Sequence, residues 1–222
     1  MRVLRRFIPY LILLLPVIAI LILRQGKNVY QKLPHIGNYK GLKPNGDTIF
    51  HAIPEFSLTD QYGKAFGSND LKGKTYVANF IFTRCPNICP EMTKNLTVIK
   101  NEFKNWKDFR MISMTLDPKF DSPKVLNAFA DKYEVNNGNW HFLTGSHDSI
   151  YWLMNQEGFL IVKPLPSEDP AQFQHSEVVA LIDKDGYIRG HYNGTDLKDV
   201  ERLKDEIKLL YHSYAEEKSA KR

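Results

Sequence analysis

The chain has 222 residues, 43% of them hydrophobic, which is room for one well-buried domain plus an accessory segment and a squeeze for two. Its net charge of +5 is unevenly placed: residues 1–32 hold six Lys/Arg and no Asp/Glu, which leaves 24 basic and 25 acidic residues in the remainder. A nearly neutral body lacks the basic bias that nucleic-acid binding requires, and nucleic acid is set aside as a partner.

Arg2, Arg5 and Arg6 precede an uncharged run from Phe7 to Leu23, and Arg24 and Lys27 follow it. Seventeen such residues, at about 1.5 Å each, are just enough for a hydrocarbon core of about 30 Å with some thinning. The competing reading is a cleaved signal peptide. Against it, Leu21-Ile22-Leu23-Arg24 stands where a small-residue cleavage site belongs, and no cysteine there takes a lipid. The expectation is an uncleaved N-terminal anchor over residues 1–24, with the membrane span at 7–23. The three leading arginines favour a cytoplasmic N-terminus and a body on the extracytoplasmic side, periplasmic or equivalent. In an oxidising compartment two cysteines would be oxidised unless reduced or metal-bound.

Residues 25–50, broken by Gly26, Pro34, Gly37, Gly41, Pro44 and Asn45-Gly46, read as a tether with turns; a domain over 51–215 and a charged tail over 216–222 follow. Ile53, Phe56 and Leu58 lead to a turn at Asp60 to Gly63 and then Lys64-Ala65-Phe66, a hairpin pattern. Thr75 to Phe82 is apolar and β-branched or aromatic enough for a buried strand, and Ile88 to Phe103 reads as a helix. Phe109 to Leu116 is a second buried strand. A helix from Ser122 to Tyr133 follows, with Ser122 as its cap and Pro123 at its first position. Trp140 to Leu143 predicts a short strand, Ser146 to Gln156 a helix, Phe159 to Val162 an apolar piece of no clear type, and Pro164 to Gln174 a polar loop. Val178 to Ile182 and Tyr187 to Tyr192 predict a hairpin turning at Lys184-Asp185-Gly186, and Leu197 to Tyr211 an amphipathic final helix. Strands alternating with helices, then a hairpin and helix, describe an α/β layered domain with a central mixed sheet.

Both cysteines, Cys85 and Cys89, fall where the first buried strand hands over to its helix, the usual place for a site in such a sheet. Orphan N–H groups and the positive end of the helix dipole favour thiolate there. On a first helical turn the two sulfurs would lie one above the other, able to close a disulfide or to grip one soft metal ion. Either use wants a further ligand or base. Of seven histidines, His175 is the best placed, because it follows the irregular loop and opens a strand; His141 and His147 are the remaining candidates, and His35, His51, His191 and His212 sit less favourably.

The stretch Phe80-Ile81-Phe82-Thr83-Arg84-Cys85-Pro86-Asn87-Ile88-Cys89-Pro90 resembles the signature of the SCO/SenC proteins, thioredoxin-fold copper-binding factors of cytochrome c oxidase assembly. Thr115-Leu116-Asp117-Pro118-Lys119-Phe120-Asp121-Ser122-Pro123 is similar to that family's Asp-Pro segment. Phe173-Gln174-His175-Ser176, with Leu181 to Gly186 beyond it, is similar to its histidine segment. The resemblance runs over residues 50–212. It implies a thioredoxin-like layered domain behind one N-terminal transmembrane helix, copper as cargo, Cys85, Cys89 and His175 as metal ligands, and a redox-active Cys85–Cys89 disulfide. It implies the copper-bearing subunit of cytochrome c oxidase as partner, with other copper carriers or thioredoxin-like reductants besides. The family usually has Asp before the histidine; here Gln174 stands, so a charge-balancing role falls to Asp117 if to any residue.

Two thiolates and an imidazole suit Cu(I), an incomplete shell lets copper pass on, and oxidation would remove both thiolates at once. Zinc is the poorer fit, since a structural zinc site wants four ligands and no third cysteine exists. The chief rival is a membrane-tethered thiol-disulfide oxidoreductase that reduces a partner's metal-site cysteines. The Cys-x-x-x-Cys spacing, and a histidine where thioredoxins place a cis-proline, favour a copper chaperone that is not a turnover enzyme. A peroxidase of the peroxiredoxin type would want Thr and Pro where Phe82 and Ile81 stand. Met92, Met111 and Met114 read as core filler, and Asn95-Leu96-Thr97 and Asn193-Gly194-Thr195 fit glycosylation acceptors.

Overall fold

Alternating strands and helices account for most of what the computed structural model describes, namely residues 32–38, 40–42, 46, 48–136, 138–155, 158–161 and 176–220. A two-residue pair, β1 (Gly41–Leu42) and β2 (Thr48–Ile49), precedes the hairpin β3 (Ser57–Asp60) and β4 (Ala65–Gly67). The helix α1 (Ser68–Leu71) leads into β5 (Thr75–Ile81), then α2 (Ile88–Phe103), β6 (Phe109–Thr115), α3 (Pro123–Lys132), β7 (Trp140–Thr144) and α4 (His147–Met154). The hairpin β8 (Val178–Ile182) and β9 (Ile188–Asn193) and the helix α5 (Leu197–Ala220) follow. Residues 1–31, with the expected anchor, and 162–175, with the whole of the expected polar loop, lie outside the described residues.

Seven strands form one sheet in the order β4-β3-β7-β6-β5-β8-β9. β5, β6 and β7 run parallel, while β8 runs antiparallel to β5 and β3 antiparallel to β7, so the sheet is mixed as expected. All seven residues of β5 are buried, because helices cover both faces of a central strand. Alternation along β5 splits the core in two. Val77 and Ile81 join the cluster with α2, α3 and α5, whereas Tyr76, Ala78 and Phe80 join the cluster with α1 and α4. Burying one such aromatic side chain stabilises the fold by about 2–3 kcal/mol. The one polar residue of the strand's interior, Asn79, is satisfied: it accepts from Ser113 Oγ at 2.6 Å and donates to Met92 Sδ at 3.5 Å.

Three expectations need correction. α5 runs to Ala220 rather than ending at Tyr211, because Tyr211 donates to the Asp108 carbonyl at 2.8 Å and the Tyr214 hydroxyl meets Thr75 Oγ1 at 3.2 Å, which keeps the following turn on the domain. Ser122 stands at the cap of α3 but its side chain makes no capping hydrogen bond. The helix after β7 begins at His147 and ends at Met154, with Ser146 Oγ accepting from Ser149 N at 3.1 Å. The described part of 32–50 lies against the β8–β9 hairpin. Ile36 N donates to the Ile188 carbonyl at 2.8 Å, and Arg189 donates to the carbonyls of Leu33 and Pro34.

Candidate functional site

β5 and β6 are parallel and in register at their ends, Ile81 beside Thr115, so the loops that leave them emerge side by side at one edge of the sheet. Leu116 N donates to the Ile81 carbonyl at 2.7 Å and ties the two exits together. The first loop carries Cys85 into α2, and the second carries Asp117 to Asp121 into α3.

Cys85 and Cys89 are buried thiols, with no disulfide between them. They are brought together, though not as two rungs of one helical turn. α2 begins at Ile88, so Cys89 lies in its first turn and Cys85 precedes it. The Cys89 N–H donates to Cys85 Sγ at 3.3 Å, so the sulfur accepts one of the helix's orphan donors where a capping side chain would otherwise do so. Cys85 N in turn donates to the Phe82 carbonyl at 3.1 Å. The helix start was expected to favour thiolate. For Cys89 burial outweighs that: desolvation pushes its thiol well above the ordinary range, the Cys85 sulfur and the nearby Asp121 push the same way, and a backbone hydrogen bond with Phe82 pulls against them.

Asp117 sits at the mouth of the second loop, 7% exposed at its side chain, and its carboxylate is engaged by Arg84: Nη2 donates to Oδ2 at 2.5 Å and Nε at 3.2 Å. The same guanidinium lies over the ring of Phe120, 4.2 Å from its centroid. Arg84 is the residue before Cys85, so this pair joins the two loops.

Sequence reasoning missed Asp121. It is fully buried, accepts from Thr83 N at 3.0 Å and from Thr115 Oγ1 at 2.5 Å, and also accepts from the Thr83 hydroxyl. Burial raises its carboxyl above the usual range, and the three hydrogen bonds pull it back. The signal was an acid between Pro118-Lys119-Phe120 and Ser122-Pro123, four residues after Asp117, where a solvated carboxylate would normally be expected.

His175 and Gln174 lie outside the described residues. Among the described residues no three His, Cys, Asp or Glu side chains are grouped to hold a metal, so two sulfurs are the donors found together. His51 and His191 are used elsewhere: their Nε2 atoms lie 2.7 Å from the Gly158 carbonyl and 3.1 Å from the Phe159 carbonyl. Met92, Met111 and Met114 are buried in the core. Both glycosylation-like asparagines are committed: Asn95 Nδ2 donates to the carbonyls of Gly194 and Thr195, and Asn193 Nδ2 donates to Glu177.

A layered α/β domain with paired thiols at the carboxyl end of a central parallel strand is a thioredoxin-like protein with a two-cysteine site. The particular family follows from comparison: the SCO1/SenC family model matches residues 46–212, and the chain belongs to that family. It is 34% identical over 164 residues to the SCO1 protein homolog of Bacillus subtilis, covering 73% of this chain and 84% of the relative. The crystal structure of a SCO1/SenC family lipoprotein from Bacillus anthracis is similar with a TM-score of 0.64 at 34% identity, over 72% of this chain and 95% of that one. BsSco, described as having a disulfide switch and as a member of the Sco family of cytochrome c oxidase assembly proteins, is similar with a TM-score of 0.63 at 30% identity, over 81% and 98%. Yeast Sco1 with copper bound shares the fold, with a TM-score of 0.56 at 24% identity over 71% and 88% of the two chains.

Proposed function

We propose that this chain is a membrane-anchored copper chaperone that takes one Cu(I) on Cys85, Cys89 and His175 and assists assembly of the copper site of cytochrome c oxidase, working beside that enzyme's copper-bearing subunit. The observation that carries this is the pair of buried thiols beyond the carboxyl end of the central strand β5, joined by the Cys89 N–H to Cys85 Sγ contact. Soft sulfur donors favour Cu(I), and a set of two sulfurs and one imidazole leaves room for a receiving protein's ligand. Membership of the family and the description of BsSco support the assembly role.

Burial of Cys89 serves the cargo as well. With its thiol pushed up by desolvation it resists adventitious reaction, and the metal, by displacing its proton, would supply the charge compensation that an isolated thiolate there would lack. Gln174 is neutral where the family usually has Asp, and the Asp117 carboxylate is already matched by Arg84, so the proposed site carries less uncompensated negative charge than an Asp before the histidine would give it.

The proposal includes a domain plan: an anchor at residues 1–24 spanning at 7–23, a tether at 25–50 whose described part is bonded to the β8–β9 hairpin, the copper-binding domain at 51–215 and a charged tail at 216–222 that continues α5 as far as Ala220, with the body extracytoplasmic. A tethered donor needs no high affinity for its acceptor. Copper per chain, measured in the reduced and the oxidised protein, is the test. One copper per reduced chain, lost in Cys85→Ser, is expected, and unchanged stoichiometry and affinity in that variant would end the proposal. The mature N-terminus, read by mass spectrometry of the membrane fraction, tests the anchor: a chain starting beyond residue 24 in a soluble fraction refutes it.

The second reading is a thiol-disulfide oxidoreductase acting on a partner's cysteines, favoured by the same sulfur pair and by the disulfide switch described for BsSco. Reduction of a disulfide-bonded partner by copper-free protein, at a rate unaffected by His175→Ala, would select it.

A further inference from the structure

The carboxylate of Asp121 is spent on the loop before the cysteines. Thr83 lies two residues ahead of Cys85, outside any helix or strand, and both its backbone N–H and its hydroxyl are received by this one side chain. The third donor, Thr115 Oγ1, belongs to the last residue of β6, whose partner in register is Ile81 at the end of β5. The carboxylate is therefore referenced to the sheet on one side and to the cysteine loop on the other. Its own backbone is fixed too: Asp121 N donates to the Asp117 carbonyl at 2.8 Å, and Asp117 N donates to Thr115 Oγ1 at 3.0 Å. Asp117 then takes Arg84, so two carboxylates of one loop hold the side chains of residues 83 and 84 immediately before the first sulfur.

Burying an acid completely is costly unless several donors serve it, and an apolar residue would fill the same space more cheaply. Three donors that converge from two chain segments need two oxygens with free lone pairs, which an ionised carboxylate has. An amide offers one oxygen and turns an N–H group toward the remaining donors.

We propose that Asp121 is a positioning residue of the two-sulfur site: by holding Thr83 it sets where Cys85 stands relative to Cys89, and so tunes both the dithiol–disulfide balance and the grip on copper. The copper half rests on the function proposed above; the redox half does not.

The test uses the full-length chain in detergent, with Asp121→Asn, Thr83→Val and Thr83→Ser. Each is equilibrated with glutathione, where the two thiols give two electrons and two protons to one oxidised glutathione and yield the Cys85–Cys89 disulfide and two reduced glutathione. Asp121→Asn and Thr83→Val are expected to move that equilibrium constant about tenfold or more, about 30 mV for a two-electron couple. In competition with a Cu(I) chelator they are expected to bind copper about 10–100-fold more weakly. Thr83→Ser, which keeps the hydroxyl, restores both values. Folded Asp121→Asn and Thr83→Val proteins with the parent's constant and the parent's copper affinity, whatever their thermal midpoints, overturn the proposal. If Asp121→Asn does not fold, Thr83→Val against Thr83→Ser decides it, because Thr83 is only half-buried. A parent that binds no copper sinks the chaperone reading alone, and the glutathione constant still decides the role of Asp121.

Discussion

The backbone N–H of Cys89 is directed at the sulfur of Cys85, 3.3 Å away, so the same atom that would bind a metal also completes the first turn of a helix. This double use separates two substitutions. Cys85→Ser keeps an acceptor for the Cys89 N–H, whereas Cys85→Ala leaves it without one. Both should lose copper, but Cys85→Ala should also be less stable than Cys85→Ser by about 1 kcal/mol, or a few degrees in thermal midpoint, as read by circular dichroism.

Cys89 has its thiol pushed upward by burial, which holds it neutral through ordinary pH. The sign follows directly: with the thiol's pKa raised, the reactive thiolate stays scarce until the pH is well above the range in which a free cysteine ionises. Iodoacetamide labelling of Cys89 at pH 8, followed by peptide mass spectrometry, should be slower than for a free cysteine by more than about tenfold, and unfolding in denaturant should abolish the difference.

Arg84 is half-exposed and Asp117 is not, so the two ends of this ion pair are unequal. Arg84→Ala strands a buried carboxylate and should cost about 1–3 kcal/mol in denaturant unfolding. Asp117→Asn, which leaves an amide to accept from Arg84, should cost less.

His51 is buried, and its ring holds a proton on Nε2 for the Gly158 carbonyl at 2.7 Å. Gly158 cannot accept a side chain: a Cβ there would stand 1.9 Å from the Leu153 carbonyl oxygen. His51→Leu should therefore destabilise by about 1–3 kcal/mol through the carbonyl left unpaired, and Gly158→Ala by at least as much through backbone displacement. Thermal unfolding of both measures this.

The sequence by itself determined the order of the elements, because β5 is a seven-residue run with every side chain buried and α2 is a long amphipathic segment, and local pattern reports such strong periodicities. It also determined which sulfurs a metal or redox site could use, since the chain has only two cysteines, and the three matching segments were enough to name the family. Tertiary structure decided what depends on neighbours remote in sequence. That Cys85 precedes α2 instead of riding on it, that Cys89 is too buried to gain from the helix start, and that α5 continues past Tyr211 all turn on contacts that no local pattern encodes. Asp121 is the clearest case. As a sequence letter it is an acid in a polar turn; its role exists only because β5 and β6 run parallel and in register, which sets the loop of Thr83 beside the loop of Asp121 and lets one buried carboxylate serve donors from both.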